Sequence, residues 1–261
     1  MRAILFDSTK CVGCGSCMAA CREKNGLPES AAADLTAQQF TVVKQTGRAG
    51  SEVYYRRMCM HCQEPTCASV CPVGALHKTP RGPVVYNAEI CLGCRYCIQA
   101  CPFGVPKYEW LSLTPRVRKC GFCADRLAQG RDNACAEACP TGATRAGERQ
   151  ELLQEARRRL QAEPGNYVQK IYGERDAGGT SVLMISSVPF ERLGLPENLP
   201  REPLPLLTFQ VLSKIPPLAG VGAFFLAGLW WLTKRKEEVA REATVHAQRQ
   251  ADGAVVEEGR R

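Results

Sequence analysis

The sequence predicts an α+β protein: a cysteine-dense front of short strands and helices, a connecting arm, and one C-terminal helix of membrane-spanning length. Three observations predict it. All sixteen cysteines lie between Cys11 and Cys139. They fall into four groups of four, punctuated by glycine and proline. Residues 215–233 carry no charged side chain. The expected boundaries are 1–203 for the cysteine-bearing domain with an arm from residue 164, 204–233 for the anchor, and 234–261 for a charged tail.

At 261 residues the chain is long enough to bury a sizeable core, so cysteine is not needed merely to staple a small fold. The opening MRAILFDSTKC has no hydrophobic run of the kind a secretory leader needs, which speaks against a secreted disulfide scaffold. The formal net charge is +8, but the basic residues are scattered and aromatics make up only 7%. With no basic–aromatic stripe, nucleic acid is not an expected partner. The positive charge fits partner docking, membrane orientation and compensation of anionic groups.

The first group is Cys11, Cys14, Cys17 and Cys21 in CVGCGSCMAAC. The second is Cys59, Cys62, Cys67 and Cys71 in CMHCQEPTCASVCP. The third is Cys91, Cys94, Cys97 and Cys101 in CLGCRYCIQACP. The fourth is Cys120, Cys123, Cys135 and Cys139, ending in CAEACP. Groups one and three have the C-x2-C-x2-C-x3-C spacing of ligands to 4Fe–4S clusters. Small residues (Gly13, Gly15, Gly93) let three thiolates and several backbone N–H groups converge on one cubane. The x3 step then begins a helical turn that aims the fourth thiolate at a second cluster. Each run thus supplies three ligands locally and one remotely, and the runs work in pairs. Pro72, Pro102 and Pro140 stop the helix after the fourth cysteine, and Gly74, Gly104 and Gly142 fit the turn that follows. Group one has Arg22 in place of that proline. Group two stretches one gap to x4 and group four stretches one to x11; such insertions loop out without moving ligands.

Zinc is the competing reading. Zinc knuckles join two C-x2-C pairs across a spacer, and only group four could pass for one alone. A radical-SAM run, C-x3-C-x2-C, is absent from the sequence.

These motifs, with KCGFCADRLAQGRDNACAEACPTGA and GGTSVLMISSVPFERLGLP, resemble the four-cluster iron–sulfur beta subunits of molybdopterin oxidoreductases, formate dehydrogenase-N and periplasmic NiFe hydrogenases. The resemblance covers roughly residues 1–233. It implies two interleaved ferredoxin-like double-cluster modules, the first and fourth motifs building one module wrapped around the second and third. It implies four 4Fe–4S clusters, with ligand sets Cys11, Cys14, Cys17 and Cys139; Cys120, Cys123, Cys135 and Cys21; Cys59, Cys62, Cys67 and Cys101; and Cys91, Cys94, Cys97 and Cys71. It also implies two protein partners: a catalytic oxidoreductase subunit, either NiFe hydrogenase or molybdopterin enzyme, and an integral membrane quinone-reactive subunit. The chain itself carries no GxSxG, HExxH or P-loop, so electron transfer without a catalytic site of its own is expected. The alternatives are a free-standing membrane-anchored polyferredoxin and a structural zinc protein.

His61 lies between two ligands and reads as a packing or hydrogen-bonding residue, since four thiolates already saturate a cubane. Lys10, Arg95 and Lys119 adjoin ligands, where a positive charge stabilises the reduced cluster. In the back half, Leu152, Leu153, Ala156 and Leu160 recur at helical spacing and predict an amphipathic helix over 148–163. The apolar run Ser181–Val188 predicts one strand followed by an extended arm.

IPPLAGVGAFFLAGLWWLT, Ile215–Thr233, would span about 28 Å as a helix, close to a bilayer core. Pro216 and Pro217 suit a helix start, and Trp230 and Trp231 suit an aromatic belt. Lys234, Arg235, Lys236 and Arg241 follow at once, which by positive-inside reasoning puts the C-terminus in the cytoplasm and the cluster domain in the periplasm. The expected location is the inner membrane, in contact with lipid, single-pass. Export of the folded domain would then use a twin-arginine signal on a partner. Beyond Asp252 the tail reads as disordered.

Overall fold

The computed structural model describes residues 1–48 and 50–258. The chain forms two compact units, Met1–Leu207 and Thr208–Arg261.

The first unit opens with strand β1 (Arg2–Asp7), the centre of a three-stranded sheet. Helix α1 (Ser16–Asn25) follows and ends at Gly26, whose left-handed φ of 57° closes the helix. Strands β2 (Thr41–Thr46) and β3 (Val53–Met58) form an antiparallel hairpin from Thr41↔Met58 to Thr46↔Val53. Next come α2 (Thr66–Ser69), the β4–β5 pair (Leu76–Lys78, Val84–Tyr86), α3 (Tyr96–Ala100) and the β6–β7 pair (Lys107–Tyr108, Val117–Arg118). Short helices α4 (Ala124–Ala128) and α5 (Ala134–Glu137) lead to β8 (Thr144–Glu148) and the longer α6 (Arg149–Ala162). Strand β9 (Val182–Ile185) completes the sheet in the order β8-β1-β9. It pairs parallel with β1, whereas β8 pairs antiparallel.

Alternation along β1 divides the core in two. Ile4 and Phe6 face a cluster containing Val42, Met58, Phe122 and Tyr172, and with them Cys17, Cys59 and Cys135. Ala3 and Leu5 face the other way, against Leu152, Leu153, Ala156 and Leu160 of α6. β9 repeats the split: Val182 and Met184 join the first cluster, Leu183 and Ile185 the second. The helix expected over 148–163 is thus α6, and its four apolar residues are its buried ones. It is tied to β1 by Asp7, a fully buried carboxylate. Asp7 accepts hydrogen bonds from Arg159 Nη1 at 2.8 Å, Tyr167 Oη at 3.0 Å and Thr9 Oγ1 at 2.6 Å.

The region expected to be a strand and an extended arm needs correction. Its strand is present as β9, but its flanks are core. Tyr167, Ile171, Tyr172, Phe190, Leu193 and Leu195 are buried, and Phe190–Leu193 winds into a 3-10 turn. Tyr172 exchanges backbone hydrogen bonds with Met184 at 2.9 Å in both directions. Apolar burial, not chain direction, fixes this segment. Gly173 has φ 88° and stands where a Cβ would lie 2.3 Å from Thr180 Oγ1, so only glycine fits.

Three of the four cysteine-bearing helices stop before the fourth cysteine, where proline follows it: α2 before Cys71, α3 before Cys101, α5 before Cys139. Gly74, Gly104 and Gly142 take φ of 66°, 62° and 64° in the turns beyond. In group one, with Arg22 in place of proline, α1 carries Cys21 inside it and runs on to Asn25. α1 packs on α5, and α2 on α3.

Helix α7 (Leu204–Leu212) precedes the long α8 (Ile215–Glu258), 44 residues with Pro216 and Pro217 in its first turn. Leu204–Thr244 is long and apolar enough to cross a membrane, with mean hydropathy 1.6 and none of that window buried. Phe224, Phe225, Trp230 and Trp231 are exposed, and Lys234 Nζ sits 4.6 Å above the Trp230 ring. The helix continues past Asp252, where sequence leads one to expect disorder; residues 259–261 lie outside the described residues.

Candidate metal centre

Each C-x2-C loop turns through a left-handed residue at the same position, just before its second cysteine. These are Gly13 (φ 72°), His61 (φ 47°), Gly93 (φ 69°) and Phe122 (φ 59°). The turn aims a backbone N–H at the preceding sulfur: Gly93 N donates to Cys91 Sγ at 3.4 Å and Phe122 N to Cys120 Sγ at 3.3 Å. Gly13 N does the same for Cys11. Further donors reach sulfur elsewhere, Thr144 N to Cys139 Sγ at 3.3 Å and Asn25 Nδ2 to Cys21 Sγ at 3.5 Å. Convergent N–H groups stabilise a thiolate over a thiol.

Electrostatic neighbourhood sorts the sixteen sulfurs. The Cys11 thiol feels the charges of Cys17, Cys139 and Cys14, and Cys14 feels Cys139. Cys21 feels Cys135 and Cys123; Cys120 feels Cys21 and Cys135. Cys62 feels Cys59, Cys101 and Cys67. Cys97 feels Cys91, Cys94 and Cys71. Some neighbours cross between these quartets: Cys17 with Cys135, Cys120 with Cys59, and Cys67 with Cys97.

Burial is the main cause of the thiol shifts. It pushes Cys21 and Cys67 up to about 12 and Cys97 up to about 11, with neighbouring thiolates adding to the rise. Two cysteines go the other way. Cys14 is lowered by the Ser16 hydroxyl and backbone N–H. Burial raises Cys139, but donors from Thr144 and Thr141 outweigh it and the thiol ends lowered.

Two quartets surround cavities. Cys21, Cys120, Cys123 and Cys135, with Arg56, Asn25 and Asn133, line one of about 20 Å³. Cys71, Cys91, Cys94 and Cys97, with Tyr86 and Arg95, line another of about 20 Å³.

His61 is fully buried and structural. Its Nδ1 accepts the Val84 N–H at 3.1 Å, and its ring lies 4.6 Å from that of Phe122. Burial first, then the charges of Lys119 and Lys78, hold it well below the usual histidine range, so it is neutral. Of the three basic residues beside ligands, Lys119 is buried and donates to the carbonyls of Val84 and Cys120. Lys10 is exposed. Arg95 is exposed and flanked by Tyr108 and Trp110 at 5.6 and 5.1 Å. His77 is exposed.

Sequence reasoning missed Arg56 and Asn133. Asn133 Nδ2 donates to Phe122 O at 2.7 Å and braces the fourth loop. Arg56 is a buried guanidinium lining the cavity of Cys21, Cys120, Cys123 and Cys135. The alternation in VYYRRM puts one of two adjacent arginines inward, but does not say which.

The 4Fe–4S dicluster domain family matches the chain twice, over residues 51–149 and over residues 10–75. Two clusters per domain and sixteen cysteines make four 4Fe–4S clusters. A protein of Nitratidesulfovibrio vulgaris is 39% identical over 96% of this chain and 72% of its own length. The hydrogenase-2 operon protein HybA of Escherichia coli O157:H7 is 36% identical over 74% of this chain and 72% of its own. The iron–sulfur subunit of the nitrate-inducible formate dehydrogenase of Escherichia coli K12 is 35% identical over 70% of this chain and 67% of its own.

Proposed function

The chain belongs to the 4Fe–4S dicluster family of iron–sulfur subunits that includes those of hydrogenase and formate dehydrogenase, and we propose that it relays electrons between a catalytic subunit and a quinone-reactive subunit in the membrane. The catalytic partner is a NiFe hydrogenase or a molybdopterin enzyme, and the chain turns over no substrate itself. Held by the sixteen cysteines, 4Fe–4S clusters would supply one-electron redox chemistry that alters local charge without breaking a bond in the protein.

The ligand sets we propose are Cys11, Cys14, Cys17 and Cys139; Cys21, Cys120, Cys123 and Cys135; Cys59, Cys62, Cys67 and Cys101; and Cys71, Cys91, Cys94 and Cys97. In each, the fourth cysteine of one run serves the partner run's cluster, so groups one and four interleave, as do groups two and three. The observation that carries the reading is the order of thiolate neighbours. Cys17–Cys135, Cys120–Cys59 and Cys67–Cys97 join the four sets in one line. The cysteines at its two ends include Cys14 and Cys94, the two that are exposed. A sequence of sets whose only exposed cysteines are at its two ends suits entry of electrons at one end and exit at the other. The Cys94 end is rimmed by exposed Leu92, Tyr96 and Trp110, which suits a protein partner.

Residues 204–233 are proposed as the single anchor in the inner membrane, against lipid and the quinone-reactive subunit. Lys234, Arg235, Lys236 and Arg241 support a cytoplasmic C-terminal side and a periplasmic cluster unit. The test is anaerobic purification in mild detergent. A brown complex with sixteen irons per chain and a large catalytic subunit is expected. Migration of the chain alone would favour a free carrier; colourless protein with stoichiometric zinc would end the proposal. Protease added to spheroplasts should digest the cluster unit, and full protection would reverse the orientation.

A further inference from the structure

Strand β3 buries Arg56 with 2% of its surface exposed. Its Nε donates to Thr41 Oγ1 at 2.7 Å and its Nη1 to Thr144 Oγ1 at 3.4 Å. Both acceptors are neutral hydroxyls. Among the described residues, none of the ion pairs with carboxylates includes Arg56. A buried, uncompensated guanidinium is strongly unfavourable, so its counter-charge must lie elsewhere. What surrounds it is sulfur. Arg56 lines the cavity of Cys21, Cys120, Cys123 and Cys135. It also lies beside Cys17, which belongs to the neighbouring proposed set. Thr144 extends the contact: its hydroxyl accepts from Arg56 while its N–H donates to Cys139.

We infer that Arg56 is the fixed counter-charge shared by two adjacent clusters, those of the first and fourth cysteine runs, and that it sets their reduction potentials. This rests on the ligand sets proposed above. Four thiolates outweigh the positive charge of a cubane core, so the liganded cluster is an anion that becomes more negative by one charge on taking an electron from its donor. A cation fixed in low dielectric between two such anions favours the reduced form of both. Lys10 and Arg95 are water-facing and screened, whereas Arg56 is not. The inner placement makes Arg56 a positioning charge for the electron, with no contact to any substrate.

The experiment is an EPR-monitored redox titration of the full-length chain in its complex, comparing wild type with Arg56→Met and Arg56→Lys. Arg56→Met should shift the reduction equilibrium of one or two clusters toward the oxidised form by about tenfold, about 59 mV for a one-electron couple, and leave the others in place. Arg56→Lys, which keeps the charge, should restore most of that shift. Four clusters at unshifted potentials in Arg56→Met overturn the inference, as does an equal shift of all four. If Arg56→Met sheds iron, Arg56→Lys decides: retained iron and near-native potentials support a charge role, and iron loss in Arg56→Lys as well overturns it. Iron content of the wild type separately tests the four-cluster reading, since fewer than sixteen irons there would fail that reading whatever Arg56 does.

Discussion

One residue before the second cysteine decides how each loop presents its sulfurs. At Gly13 the demand is doubled: φ is 72°, and a Cβ would fall 2.5 Å from the Tyr54 ring. Gly13→Ala should therefore pay about 1–2 kcal/mol for the left-handed backbone alone, and more for the clash. Loss of the 400 nm absorbance on heating should come at lower temperature than in wild type. His61 and Phe122 hold the same conformation without being glycine, because ring packing and the Val84 N–H fix them. His61→Leu leaves that buried N–H unpaired and should cost about 1–3 kcal/mol, read as earlier thermal bleaching. Remote ligation makes a sharper prediction. Cys101→Ala and Cys62→Ala should abolish the same EPR signal, and Cys94→Ala a different one. If Cys101→Ala and Cys94→Ala remove the same signal, ligation is local and the proposed sets are wrong.

At the scale of elements, one residue type governs helix length. Proline after the fourth cysteine ends α2, α3 and α5 within four or five residues, while Arg22 lets α1 run for ten. That contrast was readable from sequence, as was α6 from its leucine spacing. The three-stranded sheet was not. RAILFD reads only as an apolar run, and nothing local says that Ile4 pairs with Ala146 on one side and Val182 on the other. The burial of Tyr172 and Phe190 escaped for the same reason: glycine and proline around them suggest a loose arm, and tertiary packing overrides that. Asp7 is the polar pin of this assembly. Asp7→Ala removes the acceptor that Arg159, Tyr167 and Thr9 share, while Arg159 keeps Glu155, and should destabilise the first unit by about 1–3 kcal/mol. Urea-induced loss of near-UV circular dichroism, compared with wild type, would measure it.

For the molecule as a whole, sulfur is a structural material. Cys17, Cys59 and Cys135 sit within the main apolar core, and two quartets enclose cavities that the polypeptide leaves open. Cluster removal should thus cost the first unit its fold. Chelation after oxidation is expected to abolish its protease resistance, and an apo-protein as resistant as the holo-protein would contradict this. The cysteine count and the apolar stretch of α8 were plain in the sequence, because both are compositional. Arg56 was not, because its meaning depends on which sulfurs fold around it. Nor was the run of α8 past Asp252: a charged, alanine-rich tail reads as disordered there.

The place of β1 has a consequence for biosynthesis. β1 leaves the ribosome before either partner in its sheet, and those partners begin at Thr144 and Val182. At roughly 5–20 residues per second, β1 waits on the order of ten seconds or more for its last neighbour to be made. Until β8 is made RAILFD is an apolar strand with two open edges, and until Cys139 is made Cys21 lacks its partner segment. Iron delivered before Cys139 has emerged would find too few cysteines for four clusters. Cluster loading is therefore completed late, timed by the length of chain that separates Cys11 from Cys139.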